Sequence, residues 1–402
     1  MQQSFDVLIA GAGPAGSHAG ALLAGQGLRV ALLDRAHFPR DKVCGGGLSA
    51  KSLRLLGDLP AELIQRRFTG AYITWRNEAA IVKDLDREAG CTVLRSAFDA
   101  WLVARAQRAG ASFYPGTQAL GVSLEPPGVR LDTSRGTFHA AFLLVADGVG
   151  STLRTQLFGR NAIAYAPAVE ALIPVDETAL ERLGQRVVFD LGGMPNGYGW
   201  IFPKRDHLNV GVYSPFGGRG IRAHLDTFLA RHGLTRRSAP TCTSGYAIPV
   251  ANRIGKYEHG PVLLLGDAAG FAEAVWGEGI YFALLSAVLA ARAFERGRGK
   301  APTGAYSDLV RAVLEPELRS SRRLARLLYA AGRFAFDPLA RSRLGCDWFA
   351  AVISGELSYR ACFWRSVLGA PAWLAASRHA LERPIDFGPL EGERGSEGVS
   401  IR

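Results

Sequence analysis

Six residues near the N-terminus restrict this chain more than any other stretch: Gly11-Ala12-Gly13-Pro14-Ala15-Gly16. They follow an apolar run over 6–10 and open a small-residue segment over 16–25 that reads as a helix, with a second strand over 29–34. Strand, glycine turn, helix and strand make one βαβ unit. Gly11 permits the tight turn, Gly13 lets the backbone approach a pyrophosphate, and Gly16 allows the helix to pack closely. Pro14 and Ala15 lead into that helix, whose N-terminus supplies oriented N–H groups toward the anion. Asp34 ends the second strand where a ribose hydroxyl needs an acceptor, and Arg35 follows it. The spacing predicts a dinucleotide-binding α/β domain, with NAD and FAD both open.

At 402 residues, 48% hydrophobic and 21% charged, the chain has material for roughly two to three domains. Its net charge of +11 points to an anionic partner such as cofactor phosphates or a lipid surface. The late cluster Arg296, Arg298, Lys300, Arg311, Arg319, Arg322, Arg323, Arg326, Arg333, Arg341 and Arg343 has no nucleic-acid-binding pattern beside it, so nucleic acid is not expected. Five scattered cysteines without a C-x-x-C predict no metal or iron–sulfur site and a reduced cytoplasmic compartment. The N-terminus lacks a signal-peptide pattern, and the longest apolar run, 280–291, is too short to span a bilayer. Membrane contact would therefore be peripheral, on the inner face.

Along the chain, a discontinuous cofactor domain is expected from 1–70, 91–160 and 255–300. A substrate domain of antiparallel strands, including 168–175, 186–190, 199–202 and 208–213, is expected from 71–90 and 161–254. The segment 38–49 reads as a cofactor-proximal loop, 111–142 as a β-meander, 301–390 as helical and 391–402 as a disordered tail. One late helix puts Leu324, Leu327, Leu328, Ala331 and Phe334 on one face and Arg319, Arg322, Arg323 and Arg326 on another. Such a helix packs on a core or lies on a bilayer.

Two further motifs decide the cofactor. Asp147-Gly148, within Leu144-Val145-Ala146-Asp147-Gly148-Val149-Gly150-Ser151-Thr152-Leu153-Arg154, resembles the D-G motif of flavoproteins with the p-hydroxybenzoate hydroxylase fold. Gly266-Asp267, within Leu264-Leu265-Gly266-Asp267-Ala268-Ala269-Gly270, resembles their G-D motif, in which the aspartate holds the ribityl chain. The resemblance implies FAD. Gly277 and Gly279 would then let the backbone and the helix beginning at Ile280 approach the flavin.

Three stretches narrow the resemblance to the geranylgeranyl reductase family: Pro39-Arg40-Asp41-Lys42-Val43-Cys44-Gly45-Gly46, Tyr198-Gly199-Trp200-Ile201-Phe202-Pro203 with Asn209-Val210-Gly211, and Gly277-Glu278-Gly279-Ile280. Gly355-Glu356-Leu357-Ser358-Tyr359-Arg360 is similar to the family's C-terminal segment. The resemblance implies a Rossmann-like FAD domain with an inserted antiparallel-sheet substrate domain and a helical C-terminal region. Cys44, Gly45 and Gly46 would sit by the flavin, and Arg95 matches the family arginine that contacts the cofactor, with Ala119 and Arg154 as further candidate contacts. Tyr198, Trp200, Phe202 and Pro203 would line an isoprenoid pocket, with Trp276 beside them. Ala274, Trp276 and Tyr213 depart from the family pattern, which leaves the substrate open.

The reaction so implied is saturation of an isoprenoid C=C bond, with hydride from reduced FAD and NAD(P)H or ferredoxin as electron donor. Cys44 is the candidate catalytic residue, as substrate contact or proton relay; the acid has no candidate, and His18, His207 and His259 form no acid–base set. The alternatives are an FAD-dependent monooxygenase or halogenase and a flavoprotein electron carrier to quinone. Gly270 stands where hydroxylases carry histidine, and Tyr198 and Phe202 do not match the halogenase W-x-W-x-I-P motif.

Overall fold

The computed structural model describes residues 5–234, 243–252, 255–297, 304–334, 336 and 343–368. The first sheet grows from Phe5–Ala10, whose residues from Val7 onward are fully buried. Continuous apolar runs of this kind belong to strands covered on both faces. Phe5–Ala10 pairs in parallel with Val30–Leu33 on one side and Gly136–Val145 on the other. Gly136–Val145 pairs in parallel with Val262–Leu264, so the sheet begun at the N-terminus is completed about 250 residues later. Helix Pro14–Gly25 packs against Arg95–Arg108 and Ile280–Gly297.

The meander expected over 111–142 is narrower than its strand pattern suggests. Ser112–Tyr114 joins Val30–Leu33 as a parallel edge strand, because helix Arg95–Arg108 precedes it as a crossover. Only Ala119–Glu125, Gly128–Thr133 and Gly136–Val145 form the antiparallel meander.

The second sheet has seven strands in the order Thr243–Asn252, Ile163–Pro174, His207–Tyr213, Tyr198–Pro203, Arg186–Leu191, Gly70–Trp75, Ala79–Asp84. All its pairs are antiparallel except Arg186–Leu191 with Gly70–Trp75. That parallel pair exists because the hairpin 70–84 comes from an earlier excursion of the chain. Helices Glu177–Leu183 and Ile221–Arg231 cover the outer face, where Leu180, Leu183, Phe228 and Leu229 pack on Val188, Ile201 and Val210. Strand periodicity then turns Tyr198, Trp200 and Phe202 to the inner face.

The expected 38–49 loop ends in a strand. Gly47–Ser49 pairs with Gly90–Val93, which in turn pairs with Ile64–Phe68 in a small third sheet. Three residues containing a glycine carry too little β signal to be found locally.

The C-terminal region is a helical bundle, with Ala305–Leu309, Glu315–Ala331, Arg343–Ser354 and Tyr359–Leu368 among its described helices. The apolar face expected on Glu315–Ala331 packs only in part: Leu324 and Leu328 rest against the core, but Leu327 and Phe334 are 52% and 91% exposed, and the buried centre of the helix face is Ser320, Ser321, Ala325 and Tyr329. The Ser321 hydroxyl accepts the Ala274 N–H at 3.1 Å and the Tyr329 hydroxyl donates to the Val275 carbonyl. Hydrogen bonds to a loop set this helix's rotation. Among the described residues no helix is long and apolar enough to cross a membrane. The expected tail at 391–402 lies outside the described residues, as does the helical region beyond 368.

Candidate active site

A cavity of about 470 Å³ opens between the glycine turns at the carboxyl ends of the parallel strands and the inner face of the second sheet. Ligands of open α/β sheets bind at such strand ends. Gly11 adopts φ +102°, and a Cβ there would stand 2.3 Å from the Ala146 carbonyl oxygen. The turn is therefore pressed against the loop that carries Asp147. Asp34 accepts the N–H groups of Ala12 and Ala36, each at 2.8 Å, which fixes its carboxylate at the mouth of the turn.

Asp147 Oδ1 is buried with no hydrogen-bond partner, and burial pushes this acid up to about 6 even though Ser151 donates to it. A buried acceptor without a donor is costly. Beside it Gly148, at φ +84°, would carry a Cβ into open space. Asp267 accepts the Tyr246 hydroxyl at 2.9 Å, and a Cβ on Gly279 would come within 3.4 Å of Asp267 Oδ1. The unpaired Asp147 acceptor, with the Asp34 and Asp267 carboxylates beside bare glycine turns, fits the hydroxyl-rich ribityl and ribose portions of FAD. Asp34, Asp147 and Asp267 would hold these portions, and FAD would bring hydride-transfer chemistry.

The loop following Pro39 is locked in place. Arg95 donates to Asp99 at 2.8 and 2.7 Å, and Arg40 reaches the same carboxylate at 3.1 Å. Burial opposes the charge on Arg95, but Asp99 and then the Cys44 sulfur, with which it also hydrogen-bonds, raise its pKa. Lys204, buried and pushed down to about 8 by burial, donates to the carbonyls of Gly45 at 2.8 Å and Val93 at 2.9 Å. The Cys44 N–H donates to Glu170 Oε1 at 3.1 Å. Lys42 sits 3.3 Å from the centre of the Tyr246 ring, and burial lowers its pKa to about 8.

The opposite wall is aromatic. The Trp276 ring lies 4.8 Å from Phe189 and 5.3 Å from Tyr198, with Trp200, Phe202 and Tyr213 completing the surface. Its polar tips are taken up by partners within the protein. Tyr198 donates to the Trp276 carbonyl at 2.6 Å, Tyr213 to the Ala274 carbonyl at 3.2 Å, and Trp200 Nε1 to Asn209 at 2.7 Å. Trp200 lies flat across Gly211, where a Cβ would stand 2.1 Å from the indole ring. Gly211→Ala is expected to displace that ring, destabilise by about 1–3 kcal/mol through overpacking, and alter tryptophan emission while flavin stays bound. Unfolding in urea and emission spectra measure both effects.

The predicted residues line this cavity with five exceptions. A Cβ on Gly16 would strike the Gly11 carbonyl oxygen at 1.8 Å, so its part is to let helix and turn touch. Gly266, at φ +53°, packs on Ala15. Arg154 is buried behind the 147–150 turn and donates to the Val149 carbonyl at 3.1 Å and the Tyr165 hydroxyl at 3.0 Å. Pro203 belongs to the opposite strand face from Phe202, and Ala119 begins a strand of the meander paired with Thr133. Sequence reasoning missed Glu170, Phe189 and Tyr246, all of which line the cavity. Glu170 had a visible signal: a lone acid inside the apolar run Ile163–Pro174.

Fold and cradle together define an FAD-binding enzyme of the p-hydroxybenzoate-hydroxylase-type oxidoreductase fold, and a family model described as an FAD binding domain matches residues 4–167. The chain is 32% identical over 291 residues to an uncharacterized protein of Methanosarcina barkeri, covering 72% of this chain and 74% of that one. It belongs to that protein's family, FAD-binding proteins related to the geranylgeranyl and digeranylgeranyl reductases. Digeranylgeranylglycerophospholipid reductase 2 of Methanosphaera stadtmanae is 29% identical, with 71% and 76% of the two chains covered. Menaquinone reductase of Mycolicibacterium smegmatis is 28% identical, with 82% and 85% covered. The fold is shared with a geranylgeranyl bacteriochlorophyll reductase-like protein of Thermoplasma acidophilum, at TM-score 0.74, 22% identity and 91% and 96% coverage. It is also shared with the halogenase PltM, at TM-score 0.70, 20% identity and 92% and 85% coverage.

Proposed function

We propose that this flavoprotein reduces isoprenoid C=C bonds of a prenyl lipid or prenyl diphosphate, with reduced FAD as hydride source and NAD(P)H or a ferredoxin reloading it. The observation that carries this reading is the aromatic wall, whose Tyr198, Tyr213 and Trp200 spend their donors on the protein itself and offer carbon to the cavity. A hydrocarbon chain needs apolar contact and no hydrogen bonds, whereas a phenolic substrate is recognised through its hydroxyl. Relatives named digeranylgeranylglycerophospholipid reductase and menaquinone reductase support the same substrate class.

On this reading the chain's own residues exclude water and orient the alkene against the flavin. Cys44, fixed through its N–H to Glu170, lines the cavity in the loop between the flavin cradle and the aromatic wall. The test is anaerobic: dithionite-reduced protein is mixed with geranylgeranyl diphosphate or a menaquinone while flavin absorbance and product mass are followed. Reoxidation with a gain of two mass units per turnover is the expected result. Flavin that stays reduced with prenyl compounds but, with oxygen and an aromatic substrate, adds oxygen or halogen to that substrate would replace this reading with the monooxygenase or halogenase one.

A further inference from the structure

We propose that the Glu170 carboxyl delivers the proton that completes reduction of the double bond, an inference that rests on the prenyl-reductase reading above. Six acids line the cavity: Asp34, Asp41, Asp147, Glu170, Asp267 and Glu278. Five of them are placed for other work. Asp34 is held by backbone N–H groups at the glycine turn, and Asp147 and Asp267 belong to the flavin cradle. Glu278 is ion-paired with Lys51 at 2.6 Å and accepts the Ser49 hydroxyl at 2.5 Å, and Asp41 is exposed at the outer edge of its loop. Glu170 alone stands on the sheet that forms the aromatic wall, and it is 8% exposed.

Its carboxyl is held from two sides. The Cys44 N–H donates to Oε1 at 3.1 Å, and Asn209 hydrogen-bonds to the same carboxyl while accepting Trp200 Nε1 at 2.7 Å. Glu170 thus joins the Cys44 loop on the flavin side to the indole wall on the substrate side. The charged and titratable groups facing it are Lys42 and Cys44 from the loop and Lys204 from the turn after Tyr198–Pro203; the strands paired on either side place Gly211 and Ser244 opposite. Burial raises the Glu170 pKa above the ordinary carboxylate value, opposed by the Asn209 and Cys44 hydrogen bonds and by Lys204 and Lys42. A buried acid that holds its proton to higher pH than an exposed carboxyl is better suited to donate it.

In the step proposed, one alkene carbon receives a hydride from reduced FAD. The π electron pair forms the other C–H bond with the Glu170 proton, leaving a saturated bond, oxidised flavin and the Glu170 carboxylate. Water returns a proton to the carboxylate before the next turnover.

The test uses reduced holoprotein and geranylgeranyl diphosphate in anaerobic single turnovers, comparing wild type with Glu170→Gln and Glu170→Asp. The amide oxygen of Gln still accepts the Cys44 N–H, so flavin content and half-saturating substrate concentration are expected to stay within about threefold. The reoxidation rate is expected to fall about a hundredfold or more, and Asp to restore part of it. Because the protonated acid donates, the wild-type rate should decline as pH rises through the raised Glu170 pKa, a decline absent from the residual rate of Glu170→Gln. A Gln variant reoxidised at the wild-type rate, or a wild-type rate that does not fall with rising pH, overturns the proposal. If the Gln variant loses its flavin, the wild-type pH profile and the Asp variant decide. Wild-type flavin that no prenyl compound reoxidises is a different failure, one of the reductase reading itself.

Discussion

Gly11→Ala protein is expected to purify with little or no FAD and to unfold at markedly lower urea concentration than wild type. The backbone there has φ +102°, a region that costs an L residue about 1–3 kcal/mol. The added Cβ would also meet backbone on the facing strand end, 2.3 Å from the Ala146 carbonyl oxygen and 2.7 Å from Asp147 Cα. Neither neighbour is a flexible side chain, and both belong to the segment that carries the cradle's Asp147 and Gly148. Relief therefore comes only by parting the two turns that would face the cofactor. Strain and overpacking together should cost about 4 kcal/mol or more. Gly25→Ala is the matched control: it lies in the same helix–turn unit with nothing within 4 Å of the new Cβ, and should stabilise by about 0.5–1 kcal/mol with flavin content unchanged. Equal flavin content in the Gly11 and Gly25 variants would mean that close approach of the two turns is not what builds the cradle.

Glu273→Ala should be about as damaging, for a different reason. The carboxylate is fully buried and accepts three backbone N–H groups, from Val275 and Trp276 at 2.7 Å and Glu278 at 3.1 Å. Across the same loop the carbonyls of Ala274, Val275 and Trp276 are taken by Tyr213, Tyr329 and Tyr198. Side chains from four segments thus replace the hydrogen bonds that a helix or sheet would have provided. Removing the carboxylate strands one buried and two partly buried donors at about 1–3 kcal/mol each, so a loss of about 3–9 kcal/mol is expected from urea unfolding. Burial pushes Glu273 up from 4.5 to about 7 in the folded protein. The unfolded chain therefore releases this proton first, and the Glu273 contribution to stability is eroded as pH rises from about 4.5 through 7. Glu273→Gln should lack that slope. Parallel slopes for wild type and the Gln variant would mean that Glu273 is already ionised in the folded protein at acid pH.

What could be read in advance was whatever the backbone itself demands. The glycine turns announce themselves because Gly11 and Gly148 occupy positive φ just past the ends of apolar strands, and Gly277 does so just before the apolar helix Ile280–Gly297. The inner face of Tyr198–Pro203 follows from alternation alone. Glu170 and Phe189 escaped because a strand buried on both faces does not reveal which face a residue takes. The packing face of Glu315–Ala331 was only partly legible, with Leu324 and Leu328 on the core but Leu327 and Phe334 off it, for a related reason. Hydrophobic periodicity counts apolar side chains, while that helix is seated by Ser321 and Tyr329, whose hydroxyls complete the 274–276 backbone. Arg154 was found as a residue but not as a support, since its partner Tyr165 lies beyond the motif that contains it.

The cavity draws its lining from Gly11 at one extreme to Tyr359 at the other. During synthesis, then, the glycine turn leaves the ribosome some 350 residues before the last wall does, and for that interval no finished chamber exists. The parallel pairing of Gly136–Val145 with Val262–Leu264 and of Gly70–Trp75 with Arg186–Leu191 compounds the delay, because each waits for a partner more than a hundred residues downstream. Closure of the chamber is thus a late event in the life of the nascent chain, and nearly the whole polypeptide has been made before its flavin can be enclosed.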